Sequence, residues 1–147
     1  MKDYTINLNT LAIIPCDNKK SIVYEEYNMY IVETRPNMIV NRNCIRHGST
    51  LSGRQKSAEK MVGSSYKCPI LISEKDNLIF FPTCSSRLKD VAWVSLSNIS
   101  KVYYNHLKKV TIIVFNNGVT VEFKISLNII NNQILRSMKL EHCLLKK

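Results

Sequence analysis

Short apolar blocks separated by polar turns run through most of the chain, and their period changes twice. Tyr4, Ile6 and Leu8 alternate with polar residues, the spacing of a half-buried strand. Leu11 to Ile14 form an apolar run ended by Pro15 and the polar residues 17–20. Ile22 to Tyr24 and Met29 to Val32 read as the next two strands, and Met38 to Val40 adds a further apolar step. From 49 to 62 the period becomes helical. Ser49 or Thr50 caps the start, and Leu51, Ala58, Met61 and Val62 share one face while Lys56 and Lys60 point away from it. Gly53 costs that helix about 1 kcal/mol relative to Ala. Arg54 sits at the edge of the apolar stripe, where it can reach the rim or a ligand docked beside the helix.

Strands return after the helix. Ile70 to Ile72 and Leu78 to Phe81 flank a Glu74-Lys75-Asp76-Asn77 turn, and Pro82 ends the pair. Ala92 to Val94 and Val102 to Tyr104 follow, joined by a polar link. Val110 to Phe115 and Val119 to Phe123 flank Asn116-Asn117-Gly118, a tight hairpin signal because Asn and Gly tolerate positive φ. From Ser126 the period is helical again. Leu127, Ile130, Ile134, Met138 and Leu145 line one face, with Arg136 and Lys139 opposite, and Ile129, Leu140 and Leu144 make a second, smaller ridge. The predicted fold class is α+β: antiparallel strands, a central basic helix and a C-terminal helix, in one domain spanning residues 1–147.

With 147 residues, the chain can bury a core without disulfides. No apolar run approaches the ~20 residues that cross a bilayer, and MKDYTINLNT holds no apolar signal core, so a cytoplasmic protein without membrane attachment is expected. Charge adds the first functional clue. The net charge is +10, and residues 35–67 concentrate it, with seven basic residues against Glu59 alone. A basic segment inside a folded chain is the footprint of a polyanionic partner, or else a solvated basic face.

Catalytic chemistry finds little support. The chain has no G-x-G-x-x-G, P-loop, G-x-S-x-G or H-E-x-x-H motif, and its acids are few and scattered. Five cysteines without a C-x-x-C pair fit reduced thiols, and small buried cysteines are the expected role. Cys44 and His47 with Cys68 and Cys84 could be imagined as metal ligands, and Cys44 with His47 as nucleophile and base. Neither has the paired spacing or the third orienting group that such sites use. No metal, cofactor or catalytic residue is predicted.

The stretch Ile39-Val40-Asn41-Arg42-Asn43-Cys44, followed by Gly48-Ser49-Thr50 and Gly53-Arg54, resembles the central block of the ComK family of competence transcription factors. The resemblance continues through Lys67 with Pro69-Ile70-Leu71, through Leu78-Ile79-Phe80-Phe81-Pro82-Thr83 with Ser85-Ser86, and through Trp93-Val94, Phe115, Asn117-Gly118 and Asn132-Gln133. It implies a transcription regulator of DNA-uptake genes that enters A/T-rich promoter boxes from the minor groove. Its partners would be double-stranded DNA, RNA polymerase, further copies of itself as dimers or dimers of dimers, and a MecA-type Clp adaptor. Its place would be the cytoplasm, on the nucleoid. The well-known relatives carry a longer C-terminal tail, so proteolytic control is expected to be reduced or placed elsewhere.

Under that reading Arg42, Arg46, Ser49, Thr50, Arg54, Lys56, Lys60, Lys67, Arg87 and Lys89 form the DNA-binding set. Narrow A/T-rich grooves favour inserted arginine, which singles out Arg42 and Arg54, while the lysines, Arg87 and the hydroxyls hold phosphates. For Arg42 the bland alternative is an ion pair with an N-terminal acid such as Glu33. Ile129, Leu140 and Leu144 are the expected oligomer interface, because a helix can bury only one stripe on its own sheet. The order of the C-terminal elements is also similar to a pleckstrin-homology-like half-barrel, which offers a second function class: a non-catalytic module for a protein or an anionic lipid.

Overall fold

Runs such as Leu78-Ile79-Phe80-Phe81 put apolar side chains at consecutive positions, so both faces of the strand need cover. In the computed structural model, which describes residues 1–64, 66–83 and 91–146, they have it. β1 (Thr10–Pro15), β2 (Ser21–Glu25), β3 (Met29–Val32), β4 (Ile70–Ser73), β5 (Leu78–Pro82) and β6 (Trp93–Ser95) form one sheet in the order β3-β2-β1-β6-β5-β4. Its pairs are antiparallel, and the two halves join along β1 and β6, where Ala12 faces Val94 and Ile13 faces Trp93.

Alternation along the strands divides the core. Ile13, Val23, Ile70, Ile72, Leu78, Phe80 and Trp93 turn to one face, where α1 (Pro36–Arg46) brings Ile39, Val40 and Cys44. Ala12, Phe81, Ala92 and Val94 turn to the other face. There they meet a three-stranded antiparallel sheet of β7 (Ile99–Asn105), β8 (Val110–Phe115) and β9 (Thr120–Phe123), together with Ile130 of α3 (Leu127–Leu145). A third cluster joins Ala58 and Val62 of α2 (Leu51–Val62) to Cys68, Leu71, Ile79 and Leu140.

The α+β class, the predicted hairpins, the helix at 51–62 and the C-terminal helix are all present. Three expectations need correction. Tyr4, Ile6 and Leu8 do not form a strand. Tyr4 and Ile6 are buried, but their backbone is satisfied by a side chain, with the Ile6 N–H donating to Asn43 Oδ1 and Asn43 Nδ2 donating to the Tyr4 carbonyl, both at 2.9 Å.

Met38 to Val40 lies inside α1 and is not extended. Pro36 starts that helix, where its missing N–H costs nothing, and Ile39 with Asn43 and Val40 with Cys44 are buried one turn apart.

The C-terminal elements divide between two sheets. β6 belongs to the six-stranded sheet and β7 to the three-stranded one, with a single 3-10 turn at Leu96–Asn98 redirecting the chain between them.

Finally, Leu140 is core. It is 2% exposed, Leu144 packs against its cluster, and Ile129 is half-buried, so this ridge is not a free face. The buried stripe of α3 runs through Ile130, Gln133, Ser137 and Leu140, and its two polar members are hydrogen-bonded inside the protein. The exposed apolar residues of α3 are Leu135, Met138 and Leu145.

Candidate nucleic-acid interface

α1 and α2 carry most of the basic segment, and the short turn between them is fixed from both ends. The Gly48 and Ser49 amides donate back to the Ile45 and Cys44 carbonyls, and Asn41 Oδ1 accepts the Leu51 amide at 2.9 Å. Thr50 Oγ1 then accepts the Gly53 N–H at 2.9 Å and caps α2. A Cβ at Gly53 would stand 2.8 Å from Ser49 Oγ and 3.2 Å from Thr50 Oγ1, so the Ser49 hydroxyl would have to turn away to admit one. The two hydroxyls therefore fold over the first turn of α2, where free backbone N–H groups favour anions.

Arg42 and Arg46 are brought together, and both address Asp3. Arg42 Nη1 is 3.8 Å from Asp3 Oδ1 and 3.3 Å from Thr34 Oγ1. Arg46 Nη2 contacts Asp3 Oδ2 while its Nη1 donates to the Tyr4 carbonyl and Asn43 Oδ1. One carboxylate shared by two guanidiniums leaves a net positive charge, and both side chains stay more than a third exposed. The partner acid is Asp3 rather than Glu33.

Arg54 is turned inward. Its side chain is 14% exposed, Nη1 lies 3.7 Å from Glu74 Oε1, and Nη2 donates to the His47 carbonyl at 3.3 Å. Its Nε is buried without a hydrogen-bond partner among the described residues. An arginine held this way has no free reach into a groove. Lys56 and Lys60 are the opposite case: both are exposed on the outer side of α2 and make no ion pair among the described residues.

Lys67 adopts a left-handed backbone, φ 55°. Its carbonyl accepts from Gln133 Nε2 at 2.7 Å and Arg136 Nη1 at 3.1 Å, and its Nζ lies 5.1 Å from the centre of the Tyr66 ring. Arg136 and Lys139 reach the same place from α3, although the helical pattern set them aside as the solvent face. Their i,i+3 spacing next to Gln133 was the available signal. Arg87 and Lys89 lie outside the described residues, as does Cys84.

The cysteine readings do not converge on a site. Cys44 is fully buried, and burial pushes its thiol up to about 11 even though Arg54 pulls the other way. Cys68 donates to the Ser64 carbonyl at 2.7 Å from a different core cluster, and His47 is exposed. Among the described residues no three metal-ligating side chains come together. No helix among them is long and apolar enough to cross a membrane.

The family described as ComK protein matches residues 1–147. The chain belongs to the ComK family. It is similar to a protein of Bacillus subtilis (strain 168) named Competence transcription factor, 30% identical over 140 residues that cover 93% of this chain and 72% of that protein. No solved structure matches the chain. Membership of the ComK family and the relative's name support a competence transcription regulator.

Proposed function

We propose that this ComK-family chain is a cytoplasmic, nucleoid-associated regulator of DNA-uptake genes that binds double-stranded A/T-rich DNA from the minor groove. The observation that carries the reading is the basic α1–α2 unit. Its outer side shows Lys56 and Lys60 without counter-ions among the described residues, and its α1 side shows two arginines sharing one acid. Lys56, Lys60 and Lys67 hold phosphates, as Arg87 and Lys89 would. Ser49 and Thr50 line the anion-favouring start of α2. Arg42 and Arg46 are the arginines placed to enter a narrow groove, exchanging Asp3 for the duplex. Arg54 supports this unit from within. Self-association on tandem boxes, contact with RNA polymerase and a MecA-type adaptor belong to the same proposal, with a surface other than the Leu140 ridge serving the subunit contact.

The test is binding to A/T-rich and G/C-rich duplexes across a salt series. The logarithm of affinity falls by about 0.9 per neutralised phosphate for each log unit of salt. Lys60→Ala is expected to weaken binding equally on both duplexes, and Arg42→Ala to weaken it while also reducing the A/T preference. A flat salt response, or stronger binding to anionic vesicles than to duplex, would reject the reading in favour of a protein- or lipid-binding module.

A further inference from the structure

Between the turn that follows α2 and the middle of α3 runs an open groove of about 550 Å³. Ser64, Tyr66 and Lys67 form one wall, and Asn132, Arg136 and Lys139 form the other, with no acidic residue in the lining. Among the described residues the charge here is not cancelled. Arg42, Arg46 and Arg54 each face a carboxylate. Among the described residues Arg136 donates only to neutral acceptors, the Lys67 carbonyl at 3.1 Å, Gln133 Oε1 at 2.8 Å and Cys68 Sγ at 3.7 Å. Lys139 Nζ donates to the Val62 carbonyl at 3.2 Å. The acid whose field reaches this region is Glu59, which acts on the Cys68 thiol and is not part of the lining. Three cations gathered in one concavity concentrate positive potential.

We infer that this groove is a second phosphate track, which seats one strand of a duplex with Lys67, Arg136 and Lys139 as its phosphate contacts and Tyr66 against the sugars. The inference rests on the DNA-binding reading and extends the footprint to α3, which the basic segment alone does not include. The dimensions agree. Asn132 to Lys139 spans about 10 Å of helix, the axial rise of about three phosphates on one strand. The wall is also rigid. The left-handed Lys67 is held by two donors from α3, the kind of backbone strain that persists where a position is over-determined. A bilayer surface fits less well, because the cations line a concavity, which a single strand enters more readily than a flat membrane does.

The experiment compares the full chain with Lys67→Gln/Lys139→Gln and with Lys139→Gln alone, the latter losing a single contact to a carbonyl. The double variant is expected to lower the salt slope of duplex binding by about 1.8 and the single one by about 0.9. The ratio of A/T-rich to G/C-rich affinity should stay unchanged in both, and Lys67→Arg/Lys139→Arg should retain the full slope. Slopes equal to that of the unsubstituted chain, with Lys56→Gln/Lys60→Gln still weakening binding, overturn the groove and leave the α1–α2 reading standing. Failure of the unsubstituted chain to bind any duplex overturns both. Loss of binding to phosphatidylglycerol vesicles in the double variant, with the duplex slope intact, assigns the groove to lipid and overturns the inference.

Discussion

Asn43 Oδ1 accepts the Ile6 amide at 2.9 Å from inside α1, and the same side chain returns a hydrogen bond to the Tyr4 carbonyl. A fully buried Asn thus replaces the neighbouring strand that the Tyr4-Ile6 alternation predicts. Asn43→Leu leaves the buried Ile6 N–H unpaired and the Tyr4 carbonyl with Arg46 alone, and is expected to cost about 2 kcal/mol. Urea unfolding measures it, and a loss under about 1 kcal/mol would mean that the N-terminal segment is not anchored there.

Leu140 lies between α2, α3 and the Leu71–Ile79 strand pair. Leu140→Ala is expected to lose about 3 kcal/mol, in the range of buried leucine truncations, and Leu140→Glu to prevent folding. Leu135→Glu, on the exposed side of the same helix, should fold normally. Circular dichroism with sedimentation decides the matter. A folded Leu140→Glu protein of reduced oligomeric state would return this residue to the surface.

In an ordinary helix Gly→Ala gains about 1 kcal/mol. Here Gly53→Ala is expected to lose stability, because its Cβ would meet Ser49 Oγ at 2.8 Å. Removing that hydroxyl should relieve most of the loss, so Gly53→Ala should be much better tolerated in a Ser49→Ala background. Thermal melts of the four proteins form the cycle, and equal effects in both backgrounds would contradict the close approach.

Cys16 is exposed and Cys44 is buried. At pH 8 a thiol reagent should label Cys16 quickly and Cys44 only as the chain opens. The sign of the pH effect follows from the raised Cys44 pKa of about 11. Above the ordinary thiol range the unfolded chain has lost this proton while the folded chain still holds it. Stability therefore falls as pH rises toward 11, by at most about 3 kcal/mol from this group. Cys68 shifts in the same direction, so the check is the difference from Cys44→Ala, whose decline should be shallower.

Periodicity located the hairpins and the two longer helices because each buries apolar side chains at a regular interval. It missed α1, where Met38-Ile39-Val40 reads only as a further apolar step and the helical evidence lies in Pro36 and in Ile39 with Asn43 and Val40 with Cys44, each pair one turn apart. It also rotated α3, since Gln133 and Ser137 occupy the middle of the buried stripe and look like solvent positions until their carbonyl partners are known. The basic segment was legible as composition. Its ion pairs were not, because Asp3 and Glu74 come from distant parts of the chain. The groove was hidden for the same reason: Lys67 and Lys139 share it only through the packing of α2 on α3.

The seam between β1 and β6 joins residues more than half the chain apart. During translation the first three strands leave the ribosome with one edge of β1 still waiting for residues 93–95. Such non-local pairing folds slowly, and an open edge accepts any strand that arrives first. When many nascent copies are crowded together, a neighbouring chain can reach that edge before β6 is synthesised. The yield of native protein should therefore depend on how fast and how densely the chain is made.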